Sequence, residues 1–161
     1  MTVTRFGPRG SLGFTLIELV LVIVIAGILS AVAGPRFFDS QVYQQHGYAA
    51  EVAGALRFAQ KAAVATGCSA RLNLSAGSYV VQQQAASGNT CNPTDTSWAT
   101  TVSGLDGNAV QGTAPSGVVA APVGAYVFNS SGALSASPST SLTVGTLVIN
   151  IDSSTGYVQG Q

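Results

Sequence analysis

The hydrophobic positions change their spacing twice along the chain. Residues 14–34 form an apolar run that contains a single charge, Glu18. In the segment that follows, apolar side chains recur every three, four or seven positions, which predicts an amphipathic helix. This hydrophobic stripe consists of Phe38, Val42, Ala49, Val52, Leu56, Ala59 and Ala63. We therefore expect one long helix from Phe14 to about Thr66, with Gly67 as its C-terminal stop.

Beyond this helix the pattern changes to short alternating runs separated by Gly, Ser, Asn and Pro residues. Such runs predict β-strands joined by turns, and Ala76-Gly77 predicts a hairpin between the first two strands. Residues 85–124 are rich in small residues and weakly patterned, so we expect a long variable loop there. The predicted strands are 69–74, 78–83, 125–128, 142–144, 146–151 and 156–158. The sequence thus predicts an α+β fold, in which a long kinked helix packs on an antiparallel β-sheet domain over 67–161.

The apolar run has the length of a membrane span. A helix over residues 14–34 would be about 31 Å long, close to the ~30 Å hydrocarbon core of a bilayer. Arg5 and Arg9 precede the run without any acidic residue, so they are expected to stay cytoplasmic while the rest of the chain faces outward. A carboxylate such as that of Glu18 costs about 2.5–3.5 kcal/mol inside a membrane segment, so it needs a partner or a function.

Other interpretations of this segment stay open at this point. Ala31-Val32-Ala33 has the small-x-small pattern of a secretory cleavage site, although the apolar run is longer than that of a signal peptide. A plain membrane anchor would explain the length but would leave Glu18 without a role. Gly34 and Pro35 predict either a kink or the end of the membrane helix, because proline removes a helical N–H donor and clashes with the preceding turn. The periodicity beyond them favours a kink.

Charge and cysteine content narrow the function classes. The net charge is zero and no basic residue follows Arg71, whereas phosphate contacts require Lys or Arg. Arg57, Lys61 and Arg71 could form a small patch, but we expect them to face solvent, so nucleic-acid binding is not expected. Cys68 and Cys91 predict one disulfide formed in an oxidising compartment. A metal or redox pair is the alternative, which the wide spacing and the lack of nearby histidines disfavour.

No catalytic or cofactor-binding motif accompanies these features. His46 is the sole histidine and is expected to be a solvated helix residue. The sequence contains no glycine-rich phosphate loop, paired-carboxylate spacing or cluster of metal ligands. Trp98, the sole tryptophan, is expected to pack at the base of the variable loop. We therefore predict a protein without enzymatic activity, metal or cofactor.

The segment Gly13-Phe14-Thr15-Leu16-Ile17-Glu18, at the end of a basic leader, resembles the signal of type IV prepilins and type II secretion pseudopilins. The resemblance implies that a prepilin peptidase/methyltransferase removes residues 1–13 by cutting between Gly13 and Phe14, and that it N-methylates Phe14. It also implies that Glu18 of one subunit pairs with the freed amine of a neighbour during assembly. Such pairing would offset much of the cost of burying either charge.

The same resemblance implies the division of the helix and the partners of the protein. Many pilins have a proline at the position of Pro35, so residues 14–35 would be the transmembrane and filament-core half and residues 36–66 the amphipathic half. Partners would be other pilin or pseudopilin subunits, bound through the N-terminal helix, and the inner-membrane assembly platform. The protein would cross the bacterial inner membrane once, with its C-terminal domain in the periplasm, before it enters a pilus or pseudopilus.

Further segments narrow the resemblance. Residues 55–68 resemble the helix end of GspH/FimT-type minor pilins. Together with Pro35-Arg36-Phe37 and Thr155-Gly156-Tyr157, they resemble more closely the MshC-type minor prepilin of the MSHA (mannose-sensitive haemagglutinin) pilus. This implies a low-copy subunit at a filament tip or in assembly priming. A minor pseudopilin of a type II secretion system is the alternative. A DNA-uptake pilin of the FimT type is disfavoured because the C-terminal segment has no basic residue.

Overall fold

A computed structural model describes residues 14–37, 40–87 and 90–160 of the chain. The chain divides into two units, residues 1–39 and residues 40–161. The first unit contains helix α1, Leu16–Phe37. Helix α1 continues for two residues beyond Pro35, so Gly34 and Pro35 lie within its last turn. The kink at these two residues stays a prediction.

The second unit begins with helix α2, Ser40–Thr66. Residues 38–39 lie outside the described residues, so the continuity of the predicted helix over 14–66 stays a prediction, as does the place of Phe38 in the stripe. Within the described parts of the chain, no helix combines the length and the hydropathy that crossing a membrane requires.

The stripe on α2 is confirmed from Ala49 onward and wrong at its start. Ala49, Val52, Leu56, Ala59 and Ala63 are buried, and so are Tyr48, Ala53 and Ala55. Val42, however, is 48% exposed. The first buried side chain among those described in α2 is that of Tyr48. The helix ends at Thr66, and Gly67 follows with φ of +69°, a left-handed conformation that glycine adopts without a steric cost. The predicted helix stop is thus confirmed.

Two antiparallel sheets pack against α2. The larger sheet has the strand order β5-β2-β1-β8-β9, with β6 also paired to β2, and the smaller sheet has the order β12-β11-β10-β7. Strands β3 and β4 form a separate two-stranded ribbon. The strands are β1 Ala70–Leu74, β2 Ser78–Gln83, β3 Ala86–Ser87, β4 Thr90–Cys91, β5 Thr100–Thr101, β6 Gln111–Thr113, β7 Ala120–Ala121, β8 Gly124–Phe128, β9 Leu134–Ala136, β10 Ser141–Val144, β11 Leu147–Ile151 and β12 Val158–Gly160. The predicted hairpin of β1 and β2 and the α+β class are confirmed.

The core lies between α2 and the inner faces of both sheets. Strand β1 turns Ala70, Leu72 and Leu74 inward, as the alternation predicts, and leaves Arg71 and Asn73 on the other face. Large side chains of β8 and of the smaller sheet complete this core. They include Tyr126, Phe128, Leu142, Val144, Ile149 and Val158.

Two predictions about the β-rich domain are wrong. Residues 85–124 are not one long loop, since they supply the five short strands β3 to β7, of which β5 and β6 extend the sheet beyond β2. The last strand lies at Val158–Gly160 rather than at 156–158. Gly156 instead belongs to the preceding turn, where its N–H donates to the carbonyl of Asp152 at 2.7 Å.

Candidate assembly site

The start of α1 carries the residues that the sequence singles out for processing and assembly. Phe14 is 79% exposed, and Thr15 precedes the first helical residue. The hydroxyl oxygen of Thr15 accepts a hydrogen bond from the N–H of Glu18 at 3.3 Å, and its carbonyl accepts one from the N–H of Leu19 at 3.2 Å. Thr15 is therefore the N-cap of α1, and Glu18 lies in the first turn, where a carboxylate interacts favourably with the helix dipole. Gly13 lies outside the described residues.

The N-cap was missed in the sequence interpretation, although Thr-x-x-Glu before an apolar run is a recognised capping signal. Within the described residues the carboxylate of Glu18 makes no hydrogen bond and no ion pair. Its side chain is exposed, as is that of Phe14 four residues before it. The carboxylate is thus available to a group from outside the described chain.

Helix α1 is apolar on all sides. Ten successive residues from Leu16 to Ile25 include nine large apolar side chains, which together cover the full circumference of the helix. The exposed apolar side chains of this unit are Phe14, Leu16, Ile17, Leu19, Val20, Leu21, Val22, Ile23, Val24, Ile25, Ile28 and Leu29. A helix that is hydrophobic all round is normally buried, either in lipid or against other protein surfaces.

The predicted disulfide joins Cys68 and Cys91, whose Cα atoms lie 5.3 Å apart. It connects the second residue after the end of α2 to strand β4, and Cys68 is buried. Nearby, the guanidinium of Arg71 lies 4.7 Å from the ring centroid of Trp98. Its Nε and Nη2 atoms donate to Oε1 of Gln82 at 3.0 and 2.9 Å. The disulfide thus holds Cys91 near the end of α2, and Arg71 of β1 contacts both Trp98 and Gln82 of β2.

Two of the three basic residues near the end of α2 are engaged within the chain. Besides the contacts of Arg71, Arg57 donates from Nε and Nη2 to the carbonyl of Val158 at 3.3 and 3.1 Å. Partial burial lowers the pKa of Arg71 from its ordinary value, against an opposing effect of Asp95. Lys61 is exposed. The possible basic patch is therefore reduced, because Arg57 ties α2 to β12 and Arg71 stacks on Trp98.

His46 is exposed, as predicted, and lines an open groove of about 280 Å³ together with Ala50, Arg57 and Gly160. Among the described residues, no three His, Cys, Asp or Glu side chains are placed so that they could hold a metal ion. Trp98 is half-buried, and its φ is +52°. Its contact with Arg71 joins residues that are distant in the sequence, so no local residue pattern could have predicted this contact.

The Thr155-Gly156-Tyr157 segment forms a tight turn between β11 and β12. Oδ1 of Asp152 accepts hydrogen bonds from the N–H and hydroxyl groups of Ser154, at 3.0 and 2.6 Å, and of Thr155, at 2.8 and 2.9 Å. These bonds lower the pKa of Asp152 to about 2, the hydroxyl of Ser154 having the largest effect. Nε2 of Gln60 donates to the carbonyl of Thr155 at 2.7 Å, which ties the turn to α2.

Two family models match separate parts of the chain, and the boundary between the two structural units lies in the unmatched residues between them. The family model of the prokaryotic N-terminal methylation motif matches residues 8–34. The family model of the type II transport protein GspH matches residues 48–159, which include all the buried core positions named above. The type IV major pilin protein PilA of Myxococcus xanthus (strain DK1622) is 48% identical over 61 residues. That match covers 38% of this chain and 27% of the relative's length. No solved structure matches the chain.

Proposed function

Because the chain belongs to the family of the type II transport protein GspH and carries a prokaryotic N-terminal methylation motif, we propose that it is a non-enzymatic minor subunit of a pilus or pseudopilus. The observation that carries this proposal is the all-round apolar surface of α1, most of which lies within the matched motif. Such a surface requires a cover of lipid before assembly and of neighbouring subunits afterwards. Pilins and pseudopilins are structural, non-enzymatic subunits, and this supports the non-enzymatic part of the proposal.

Processing would prepare the assembly contact. A prepilin peptidase cuts between Gly13 and Phe14, and the new amino group of Phe14 is methylated. This amine carries a positive charge that lies next to the capped start of α1. The carboxylate of Glu18 in a neighbouring subunit then supplies the opposite charge. Since burying either charge alone is costly, the pair fixes the axial register of two helices more than it adds stability.

The proposed location follows from the same features. The apolar segment is held in the bacterial inner membrane, and the domain over 40–161 lies in the periplasm, where the disulfide of Cys68 and Cys91 can form. The prepilin peptidase/methyltransferase, the inner-membrane assembly platform and other pilin subunits are the proposed partners. Mass spectrometry of the mature chain tests the first step. An N-terminal methyl-Phe14 is expected, and a new N-terminus at Gly34 would contradict the proposal.

Two substitutions at Glu18 test whether its charge is needed for assembly. The capping bond to Thr15 comes from the backbone N–H of Glu18 and not from its carboxylate, so Glu18→Gln keeps that bond and removes the charge. If the charge pairs with an amine, Glu18→Gln abolishes incorporation into filaments while processing and membrane insertion continue. Glu18→Asp, which keeps the charge on a shorter side chain, should retain part of the incorporation. Normal assembly of Glu18→Gln would show that the charge of Glu18 is not needed for incorporation.

Within this class we favour an MSHA-like pilus, on the resemblance of residues 55–68 and of the Thr155-Gly156-Tyr157 turn. The GspH family description favours the second candidate, a minor pseudopilin of a type II secretion system. Deletion of the gene, followed by electron microscopy of surface pili and by an assay of secreted enzymes, decides between them. Loss of pili with normal secretion supports the first candidate, and the reverse supports the second. We do not expect DNA binding, and a salt-sensitive mobility shift with the purified chain would contradict that expectation.

A further inference from the structure

The outer face of the larger sheet contains a polar groove of about 560 Å³. It lies on the side of the sheet away from α2, because Leu72 and Leu74 of β1 and Val81 of β2 point into the core. Its volume is within the range of roughly 300–1,000 Å³ that is typical of small-molecule sites. The groove is lined by residues of the second unit, and Gly13, Phe14 and Glu18 are not among them.

Three neighbouring strands present the side chains of the groove in register. Val80 of β2 pairs with Asn73 of β1 on one side and with Gln111 of β6 on the other. Adjacent strands are about 4.8 Å apart, so the backbones at Asn73 and Gln111 are about 10 Å apart across the apolar side chain of Val80. In the next row, two residues along, Ser78 pairs with Thr113. The result is an apolar floor with amide and hydroxyl groups around it.

The polar groups at the rim are free to bind a ligand. Asn73, Gln111 and Thr113 make no side-chain hydrogen bonds in the described part of the chain, and Asn73 is half-exposed while the other two are exposed. Their strands are nevertheless fixed by backbone hydrogen bonds that flank β6, such as that from the N–H of Ala114 to the carbonyl of Gly77 at 2.9 Å. Because the backbone is already fixed, a ligand has to order only the side chains, at a cost of about 0.5–1.5 kcal/mol for each one that it immobilises.

The chemistry of the lining selects a class of ligand. None of the residues that line the groove carries a charge. The nearest cation on this face is Arg71, one row away, and its guanidinium is occupied by Gln82 and the ring of Trp98. Amides and hydroxyls both donate and accept hydrogen bonds, as sugar hydroxyls do, and Val80 offers an apolar surface to the C–H face of a sugar ring. We propose that this groove, between Asn73 and Gln111 and above Val80, binds a neutral saccharide.

NMR titration of the full-length protein tests the proposal. The ¹⁵N-labelled chain is kept in a zwitterionic detergent, since detergents with sugar headgroups would compete, and glucose, galactose and N-acetylglucosamine are added in turn. We expect the side-chain amide signals of Asn73 and Gln111 to shift in a saturable manner with at least one of these sugars. A ligand of this size binding through a few hydrogen bonds should have a dissociation constant on the order of 1 mM.

Matched variants locate the sugar. Gln111→Leu and Asn73→Leu each remove an amide from an accessible position at similar side-chain size, and each should weaken binding at least about tenfold. Asn150→Leu is the control, because Asn150 is an exposed amide in a polar groove on the smaller sheet. It should leave the dissociation constant unchanged. Unchanged backbone signals of β8 and β10 show that each variant is folded.

Four results would overturn the proposal. The first is an absence of shifts with all three sugars, and the second is binding that survives both groove variants or is lost in Asn150→Leu. The third is binding of glucuronate without binding of glucose, which would indicate an anion site. The fourth is a shift of the same amide signals with protein concentration alone, which would show that a second copy of the chain occupies the groove.

Discussion

Gly156 occupies a position where the backbone leaves no room for a side chain. Its φ is +68°, in the left-handed region that favours glycine. A Cβ atom at this position would collide with the carbonyl oxygen of Gly132 and would lie 2.9 Å from Nε2 of Gln60. The obstacle is backbone, which cannot rotate away as a flexible side chain can. Gly156→Ala should therefore destabilise the domain for two separate reasons.

The magnitude can be worked from these two contributions. The left-handed conformation costs an alanine roughly 1–2 kcal/mol. Displacement of the Gly132 carbonyl resembles overpacking of a filled site, which costs about 1–3 kcal/mol. Together they give a loss of about 2–5 kcal/mol. Gly54 provides the matched control, since it lies in the interior of α2 and a Cβ atom added there would meet nothing within 4 Å. Gly54→Ala should gain about 0.5–1 kcal/mol from helix propensity.

Urea unfolding of the full chain measures both changes. Circular dichroism reports the secondary structure, and fluorescence of Trp98 reports the contact with Arg71. We expect the unfolding midpoint to fall in Gly156→Ala and to rise in Gly54→Ala, with similar slopes in both. A loss below about 1 kcal/mol in Gly156→Ala would refute the argument, because the conformational cost alone should reach that value.

Three further predictions concern other contacts of the domain. Replacing both Cys68 and Cys91 by serine opens a loop with a sequence separation of 23 residues, and should cost about 3 kcal/mol in the same unfolding assay. A loss below about 1 kcal/mol would argue against a structural role of the disulfide. The hydroxyl of Tyr48 is buried without a partner in the described structure, so Tyr48→Phe should raise stability by about 1 kcal/mol, and a loss would reveal a partner. The folded pKa of Asp152, about 2, lies below its ordinary value, so its contribution is present above about pH 4 and is lost as the pH falls towards 2. Asp152→Asn should reduce the acid sensitivity of the unfolding midpoint, and an unchanged pH profile would contradict this assignment.

Local residue patterns sufficed to predict those helices and strands whose own sequence shows a clear hydrophobic periodicity. The buried positions of α2 from Ala49 onward follow the helical period, and the hairpin of β1 and β2 combines alternation with a turn. The period by itself also places Val42 in the stripe, although this side chain is exposed. Strands of two or three residues, such as β5 and β6, arise from pairing with β2, and no residue pattern of that length predicts them.

The same difference between local patterns and long-range contacts applies to the candidate assembly site and the contacts near it. Phe14 and Glu18 were singled out because residues 13–18 resemble the prepilin signal, which is a local pattern, and their roles stay predictions. The cap by Thr15 was readable from the same residues. The contacts of Arg71 with Trp98 and of Arg57 with Val158 join residues 27 and 101 positions apart, and only the fold brings them together. The prediction that Arg57, Lys61 and Arg71 face solvent holds for the first two, which are exposed, whereas Arg71 is half-buried.

The two units of the chain differ in what can stabilise them. The core of the second unit consists of residues between Tyr48 and Val158, which bury one another. The described apolar side chains of α1 are exposed and need a cover from lipid or from other subunits. A defect in one unit should therefore be separable from a defect in the other. Glu18→Gln should impair incorporation without changing the unfolding midpoint of the domain, whereas Gly156→Ala should lower that midpoint and reduce incorporation only as far as folded protein is lost. If Glu18→Gln also shifted the midpoint, the carboxylate would serve the fold of the chain, and the assembly role proposed for it would fail.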